Sequence, residues 1–452
     1  MILDWLLDRM AQHSDRPAVI EASVCSYATL IDGVSRWAKA FADRGIAGRV
    51  VSLEADYGIE AIAAMFGAAA GGNILVPISR GADAHREMFL ALADVEFRLR
   101  PDAGSRALMA TGRQASHAHY QALRGDETAG LVLFSSGTSG SPKAAVHNLG
   151  RLLNKFVVRR HAYRTLVFMQ LDHIGGLNTL FYTLANGGTV VVAEGRTPTD
   201  ICRAIETHRV ELLPTSPTFL NLLLLSEEHR RYDLSSLRLI TYGSEPMPAH
   251  TLERVRAAFP DVRLLQTYGL SELGILRSQS RDAGSRWVRV GGEGFQTRVL
   301  DGRLFVKSPY AMLGYLNAPT PFDADGFLDT GDLVEQDGEW LQILGCATEV
   351  INVGGSKVLP TEVENLLLTM ENVADVKVHG EPNPIVGQIV VATIRSAHPE
   401  DPAAFKRRMR LFCQGRLADC EIPVKIRFSD ALHSARYKKQ HGITANAEKA
   451  TP

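Results

Sequence analysis

The stretch LVLFSSGTSGSPKAAVH, Leu131 to His147, sets an apolar run against a loop whose side chains suit an anion. Gly137 and Gly140 let backbone N–H groups turn toward a ligand, and Ser135, Ser136, Thr138, Ser139 and Ser141 add hydroxyl donors. Lys143 supplies a point charge for phosphate oxygens, so the loop suits a polyphosphate. It is not a Walker A loop, because G-x-x-x-x-G-K-[ST] places glycine directly before the lysine, where Pro142 stands, and Ala144 follows. A solvated Ser/Gly linker is the competing reading. The strand-like run at 131–134, the apolar run after the loop and the one fixed lysine argue against it.

Two further loops carry chemistry. The strand-like run at 237–242 leads into Gly243-Ser244-Glu245-Pro246, and that at 263–267 into Tyr268-Gly269-Leu270-Ser271-Glu272. Ligands of open α/β sheets collect beyond the carboxyl ends of the strands, so these loops and the Ser/Gly loop are expected to face one crevice.

The elements that must position them alternate along the chain. A strand at 50–53, a helix at 59–70 and a strand at 74–78 are followed, after a polar and irregular stretch at 80–128, by the loop and a helix at 149–160. Strands at 165–171, 189–193 and 211–214 then alternate with helices at 200–207 and 218–225, the pattern of a parallel, helix-covered sheet. Residues 288–306 alternate in polarity around Gly291-Gly292 and Asp301-Gly302, hairpin chemistry that predicts a small β subdomain. From about Gly345 the chain restarts with a hairpin at Gly354-Gly355, a helix at 361–370, strands, a basic helix at 402–417 and a last strand at 424–428. The fold class is therefore α/β: a large N-terminal domain of helix-covered parallel sheets plus a small β subdomain, with a separate smaller α+β C-terminal domain.

Composition narrows the function. With 452 residues and 45% apolar content the chain is long enough for more than one core. The 49 basic and 50 acidic residues give a net charge of -1, so no bulk field recruits nucleic acid or anionic membrane. The five cysteines show no paired spacing, which argues against a disulfide framework or zinc site and fits a reducing cytoplasm. MILDWLLDRM carries Asp4 and Asp8 within its apolar run and reads as an amphipathic helix, not a signal peptide; the weakly polar run 61–77 is too short to span a bilayer.

In detail, the Ser/Gly loop resembles the phosphate-binding signature of the adenylate-forming superfamily, which includes acyl-CoA synthetases, nonribosomal peptide adenylation domains and luciferases. The resemblance extends from Leu30 to about Gln440. It implies that Tyr268-Gly269-Leu270-Ser271-Glu272 is the family's Tyr-Gly-x-Thr-Glu motif, with Glu272 the Mg²⁺ ligand and Tyr268 the aromatic that stacks on the purine. Gly243-Ser244-Glu245 is similar to the adenine-lining segment, and Asp332 in Thr330-Gly331-Asp332 to the aspartate that accepts from both ribose hydroxyls. His173 resembles the histidine on the acid side of the site. Asp172 before it does not align well with the amino-group-binding aspartate of peptide synthetases.

The segment from Gly345 to Val358 resembles the family's hinge motif, which implies domains at 1–347 and 348–452 with a hinge near Thr348 and a Gly354-Gly355 hairpin that lines a thiol channel. Cys346 stands where the family has arginine, and Thr348 where Asp or Lys is usual. Ser434-Ala435-Arg436-Tyr437-Lys438 is similar to the final motif, with Tyr437 in place of glycine and Lys438 the catalytic lysine. The implied activity is ATP-dependent, Mg²⁺-assisted activation of a small carboxylic acid as acyl-adenylate with release of pyrophosphate, then transfer to a thiol. Coenzyme A is the first choice of acceptor, and the phosphopantetheine of an acyl carrier protein the second. The short length is similar to o-succinylbenzoate:CoA ligases. Lys406-Arg407-Arg408 and Arg410 could meet coenzyme A phosphates or an acidic carrier, or form a solvated helix face. A catalytically impaired nucleotide-binding protein is the reading from another class, raised by Cys346, Thr348 and Tyr437 and opposed by Lys143, Glu272, Asp332 and Lys438.

Overall fold

The computed structural model describes residues 3–103, 107–135, 142–282, 284–292, 294–429 and 432. Two seven-stranded sheets build the N-terminal domain. In the first, Gly130–Ser135, Ile74–Ile78, Val50–Glu54 and Phe97–Leu99 are parallel neighbours. Leu108–Ala110 closes one edge antiparallel, and Lys143–Asn148 followed by Gly314–Tyr315 closes the other. In the second, six parallel strands run in the order Arg263–Gln266, Leu239–Tyr242, Leu212–Thr215, Arg164–Leu166, Thr189–Val191 and Pro17–Ile20, edged by the antiparallel Val24–Ser26. Every residue of Val50–Glu54 and of Ile74–Ile78 is buried, as in strands covered on both faces; Ile74–Ile78 is apolar throughout, while Val50–Glu54 also buries Ser52 and Glu54, which are hydrogen-bonded to each other and, for Glu54, to Arg98.

Helices Tyr27–Ala42, Ile59–Ala70 and Ile174–Ala185 contribute to the core that also takes side chains from both sheets. Ile59–Ala70 is buried all round, which its Ala-rich sequence permits by keeping its girth small. A Cβ at Gly67 would lie 2.4 Å from that of Trp37, so only glycine lets this helix approach Tyr27–Ala42 so closely. The outer face of the second sheet is covered by Pro198–His208, Pro217–Leu225 and Ala249–Ala258, and that of the first by Arg86–Leu92 and Ala118–Gly125.

Three expectations need correction. Residues 80–128 are not irregular: they hold the 3-10 turn Arg80–His85, both helices of the first sheet's outer layer and two of its strands. Their polarity misled because the charges are paired inside. The buried Glu96 carboxylate accepts from Arg49 at 2.9 Å, from Arg124 at 3.0 Å and from Val50 N at 2.9 Å. The run 143–148 is an antiparallel strand, and the helix after it ends at Asn154, not 160. Finally, Ala249–Ala258 was not expected at all.

The β subdomain is a six-stranded antiparallel sheet. Its Asp301-Gly302 turn has φ of 49° and 72°, the left-handed pair that an Asp-Gly hairpin turn requires. The 3-10 turn Ala347–Glu349 leads from its strand Trp340–Cys346 into the smaller C-terminal domain. There a five-stranded sheet packs one face against Pro360–Leu367 and Pro402–Cys413. All five cysteines are free, and no described helix is long and apolar enough to cross a membrane.

Candidate active site

The strands on either side of the Ser/Gly loop pair antiparallel, with Ser135 opposite Lys143 in the last pair. Ser136, Gly137, Thr138, Ser139 and Gly140 lie outside the described residues, as do Tyr437 and Lys438. At the base of the loop Ser135 Oγ donates to Glu272 Oε1 at 3.0 Å, and Tyr315 O–H donates to the same oxygen at 2.8 Å. Lys143 Nζ stands 5.3 Å from the Tyr315 ring centroid. The base of the Ser/Gly loop and the glutamate thus meet across 137 residues of chain. Burial and the Glu272 charge push the Tyr315 phenol far above its ordinary pKa, so it stays a donor. Tyr315 was missed from sequence, since its strand of two residues is too short to carry a period.

Glu272 is 8% exposed, and its hydrogen-bond partners among the described residues are two neutral hydroxyls rather than a cation. Its Oε2 accepts from no group among the described residues. A buried carboxylate whose charge is not cancelled by a basic side chain fits a hard cation. No cluster of three His, Cys, Asp or Glu forms a metal site among the described residues, so Glu272 would share the ion with phosphate oxygens and water.

Asp332 lies on Leu328–Asp337, opposite Cys346 in the register. Tyr268 O–H donates to Asp332 Oδ2 at 2.6 Å, and burial, with the Asp332 charge, raises this phenol well above its usual range. Tyr268 is 8% exposed within the β-subdomain core, so besides any stacking on a purine its hydroxyl orients the aspartate. Cys346 Sγ lies 3.1 Å from Thr348 Oγ1.

Gly243 approaches the neighbouring loop so closely that a Cβ would sit 2.5 Å from Thr267 O. Ser244 follows in the left-handed region at φ 71°. Glu245 Oε1 accepts from Thr218 N at 2.7 Å, which caps helix Pro217–Leu225 beside its Ser216 N-cap and ties the two loops together. Gly269 packs within the tight pair Tyr268–Leu270 and Gly274–Leu276, and Ser271 is half-buried before Glu272.

His173 is half-buried at the N-cap of Ile174–Ala185, its Nδ1 accepting from Gly175 N at 3.0 Å. A neutral ring with Nδ1 as acceptor carries its proton on Nε2. Asp172 points elsewhere: its Oδ2 accepts from Ser79 Oγ at 2.8 Å and from Ser79 N at 3.3 Å, a tie between the two sheets. Gly354 and Gly355 form an exposed hairpin tip with φ of 58° and 92°, and no heavy atom lies within 4 Å of a Cβ built on either. On Pro402–Cys413, Phe405, Met409 and Cys413 face the core; Arg408 is taken by Glu400 at 2.7 Å, while Lys406, Arg407 and Arg410 are exposed.

Residues 6–316 match the AMP-binding enzyme family and residues 362–439 the AMP-binding enzyme C-terminal domain. The chain is 29% identical to the indoleacetate–CoA ligase of Aromatoleum aromaticum over 90% of both chains. It is 30% identical to the 2-succinylbenzoate–CoA ligase of Bacillus subtilis over 68% of this chain and 66% of the relative. Its fold is that of the anthranilate CoA ligase AuaEII in complex with anthranoyl-AMP, with a TM-score of 0.80 at 20% identity over 97% of this chain and 95% of that one.

Proposed function

Because the chain belongs to the AMP-binding enzyme family, we propose that it is an AMP-forming acid:CoA ligase acting on a small carboxylic acid. The observation that carries this reading is the junction of Ser135, Lys143 and Tyr315 with Glu272, which sets a phosphate-binding lysine beside a buried, uncancelled carboxylate. Lys143 and the Ser/Gly loop hold the β- and γ-phosphates of ATP, and Glu272 would hold Mg²⁺. The ion, when bound, spreads the charge of the departing pyrophosphate. Asp332, oriented by Tyr268, accepts from the ribose hydroxyls. Lys438 neutralises the α-phosphoryl oxygens as the substrate carboxylate attacks in line. His173, with its proton on Nε2, is a donor for the acid or its pocket wall.

Asp172 does not align well with an amino-group-binding aspartate and is tied to Ser79, so it gives no support to a free α-amino acid as substrate. Relatives named for indoleacetate and 2-succinylbenzoate put acids with an aromatic ring first on a substrate panel. In the second half-reaction the domain from 348 onward turns about Thr348 and brings Gly354-Gly355 to the thiol of coenzyme A. The exposed Lys406, Arg407 and Arg410 favour a second acceptor, an acidic carrier protein.

The test is Mg²⁺- and acid-dependent conversion of ATP to AMP and pyrophosphate across aryl, fatty, dicarboxylic and amino acids; ADP and phosphate as products would overturn it. Lys438→Ala should lose adenylate formation yet still convert supplied acyl-adenylate to thioester. Mass spectrometry without any carrier should show acyl-CoA, whereas a stall at enzyme-bound adenylate would move the acceptor to a carrier.

A further inference from the structure

The short strand Gly314–Tyr315 does more than close a sheet edge. It pairs antiparallel with Lys143–Asn148, Gly314 opposite Val146 and Tyr315 opposite Ala145, and the ladder continues through Leu313 N to Val146 O at 2.7 Å and Leu316 N to Ala144 O at 2.9 Å. The strand carrying the phosphate lysine is therefore flanked by Gly130–Ser135 on one side and by Gly314–Tyr315 on the other. Glu272 Oε1 receives one hydroxyl from each flank, Ser135 from the first and Tyr315 from the second. Two residues past Tyr315, the exposed Asn317 brackets the lysine itself. Its Oδ1 accepts from Ala144 N at 3.0 Å, and its Nδ2 donates to Pro142 O at 2.9 Å, the residues on either side of Lys143.

We propose that residues 314–317 are a clamp that sets the phosphate lysine and the cation-binding glutamate at a fixed separation, with Tyr315 and Asn317 as positioning residues; this rests on the acid-activating reading given above. The two hydroxyls occupy Oε1 and leave Oε2 to face the cation. With only the Ser135 hydroxyl remaining, the carboxylate can turn and present either oxygen. The Asn317 carboxamide acts separately, holding the backbone on both sides of Lys143 so that the ammonium group meets the departing pyrophosphate in one place. A Cβ at Gly314 would lie 2.4 Å from His119 Nε2, so the segment is threaded closely past its neighbour and its register is not free to slip.

The test uses the full-length protein and two variants with separate readouts. Tyr315→Phe keeps the ring beside Lys143 and removes only the hydroxyl, and Asn317→Ala is an exposed change that a folded chain tolerates. Mn²⁺ in the presence of ATP, titrated through the electron paramagnetic resonance signal of the free ion, should bind about tenfold more weakly to Tyr315→Phe, the usual effect of losing a hydrogen bond to a charged group. Binding of ATP in the presence of a chelator should be unchanged in that variant and several-fold weaker in Asn317→Ala. Both variants should slow adenylate formation and transfer a supplied acyl-adenylate to coenzyme A at the wild-type rate. Wild-type Mn²⁺ affinity in Tyr315→Phe, or equal losses in both half-reactions, would overturn the clamp. A wild type that yields no AMP would instead defeat the functional reading, while the Mn²⁺ titration would still decide the clamp.

Discussion

Tyr268 shows how a single hydroxyl enlarges a role inferred from its ring. Its bond to Asp332 holds the carboxylate that is proposed to take the ribose, so Tyr268→Phe should raise the KM for ATP about tenfold while leaving the KM for the acid unchanged. Steady-state kinetics with each substrate varied would check this, and a shift in the acid term alone would place Tyr268 elsewhere. His147 is a buried group of another kind. Among the described residues neither ring nitrogen has a well-formed hydrogen bond, and burial, only partly offset by a weak contact to the Ser271 backbone, pushes its pKa down from 6.5 to about 4. The unfolded chain therefore takes up a proton below about pH 6.5 that the folded chain refuses. Stability from this site is intact at neutral pH and lost progressively as pH falls toward 4, by on the order of 3 kcal/mol. Relative to His147→Leu, the wild type should lose stability across that window in denaturant titrations; a constant difference would show that His147 does not titrate there.

At the scale of elements, the site depends on loops pressed against each other rather than on any one strand. Thr267 N donates to Tyr242 O at 2.7 Å, Gly243 N to Thr215 O at 3.3 Å, and Glu245 spans to Thr218, so three strand ends are tied by their own exits. Gly243→Ala would drive a methyl group to 2.5 Å from both Thr267 O and its Oγ1, forcing the Tyr268 loop outward. The expected result is a loss of at least about tenfold in exchange of pyrophosphate into ATP, with a destabilisation of roughly 1–3 kcal/mol typical of overpacking. Exchange at the wild-type rate would mean that the loop gap has slack.

Across the whole molecule, the two domains meet where Asn221 Nδ2 donates to Ala374 O at 3.3 Å while its Oδ1 accepts from Arg254 at the same distance. Beside this contact is a small cleft of about 30 Å³ lined from both sides, by Thr218, Asn221 and Glu245 and by Thr361, Glu364 and Asp375. Thr361 Oγ1 also donates across the boundary, to Leu344 O at 2.5 Å. Asn221→Ala should weaken this arrangement and speed limited proteolysis within the turn Ala347–Glu349 several-fold, with little change in melting temperature. An unchanged cleavage rate would show that the contact does not hold the domains.

The sequence by itself determined the fold class: helix-covered parallel sheets, a small β subdomain and a smaller C-terminal domain. The hydroxyls, glycines and lysine of the Ser135–Lys143 stretch suffice to name an anion as partner, whereas a cation at Glu272 and a sugar hydroxyl at Asp332 are named only by the resemblance to the adenylate-forming superfamily. Long buried strands such as Ile74–Ile78 announce themselves through unbroken apolar runs. Tertiary structure alone decided which groups meet. Tyr315 reaches Glu272 across 43 residues, Asn317 brackets Lys143 from 173 and 175 residues away, and Glu245 caps a helix that starts 28 residues earlier, at Pro217. Such contacts follow from the register of strands distant in sequence, and a two-residue strand or a buried Arg–Glu set leaves no period by which local spacing could reveal it.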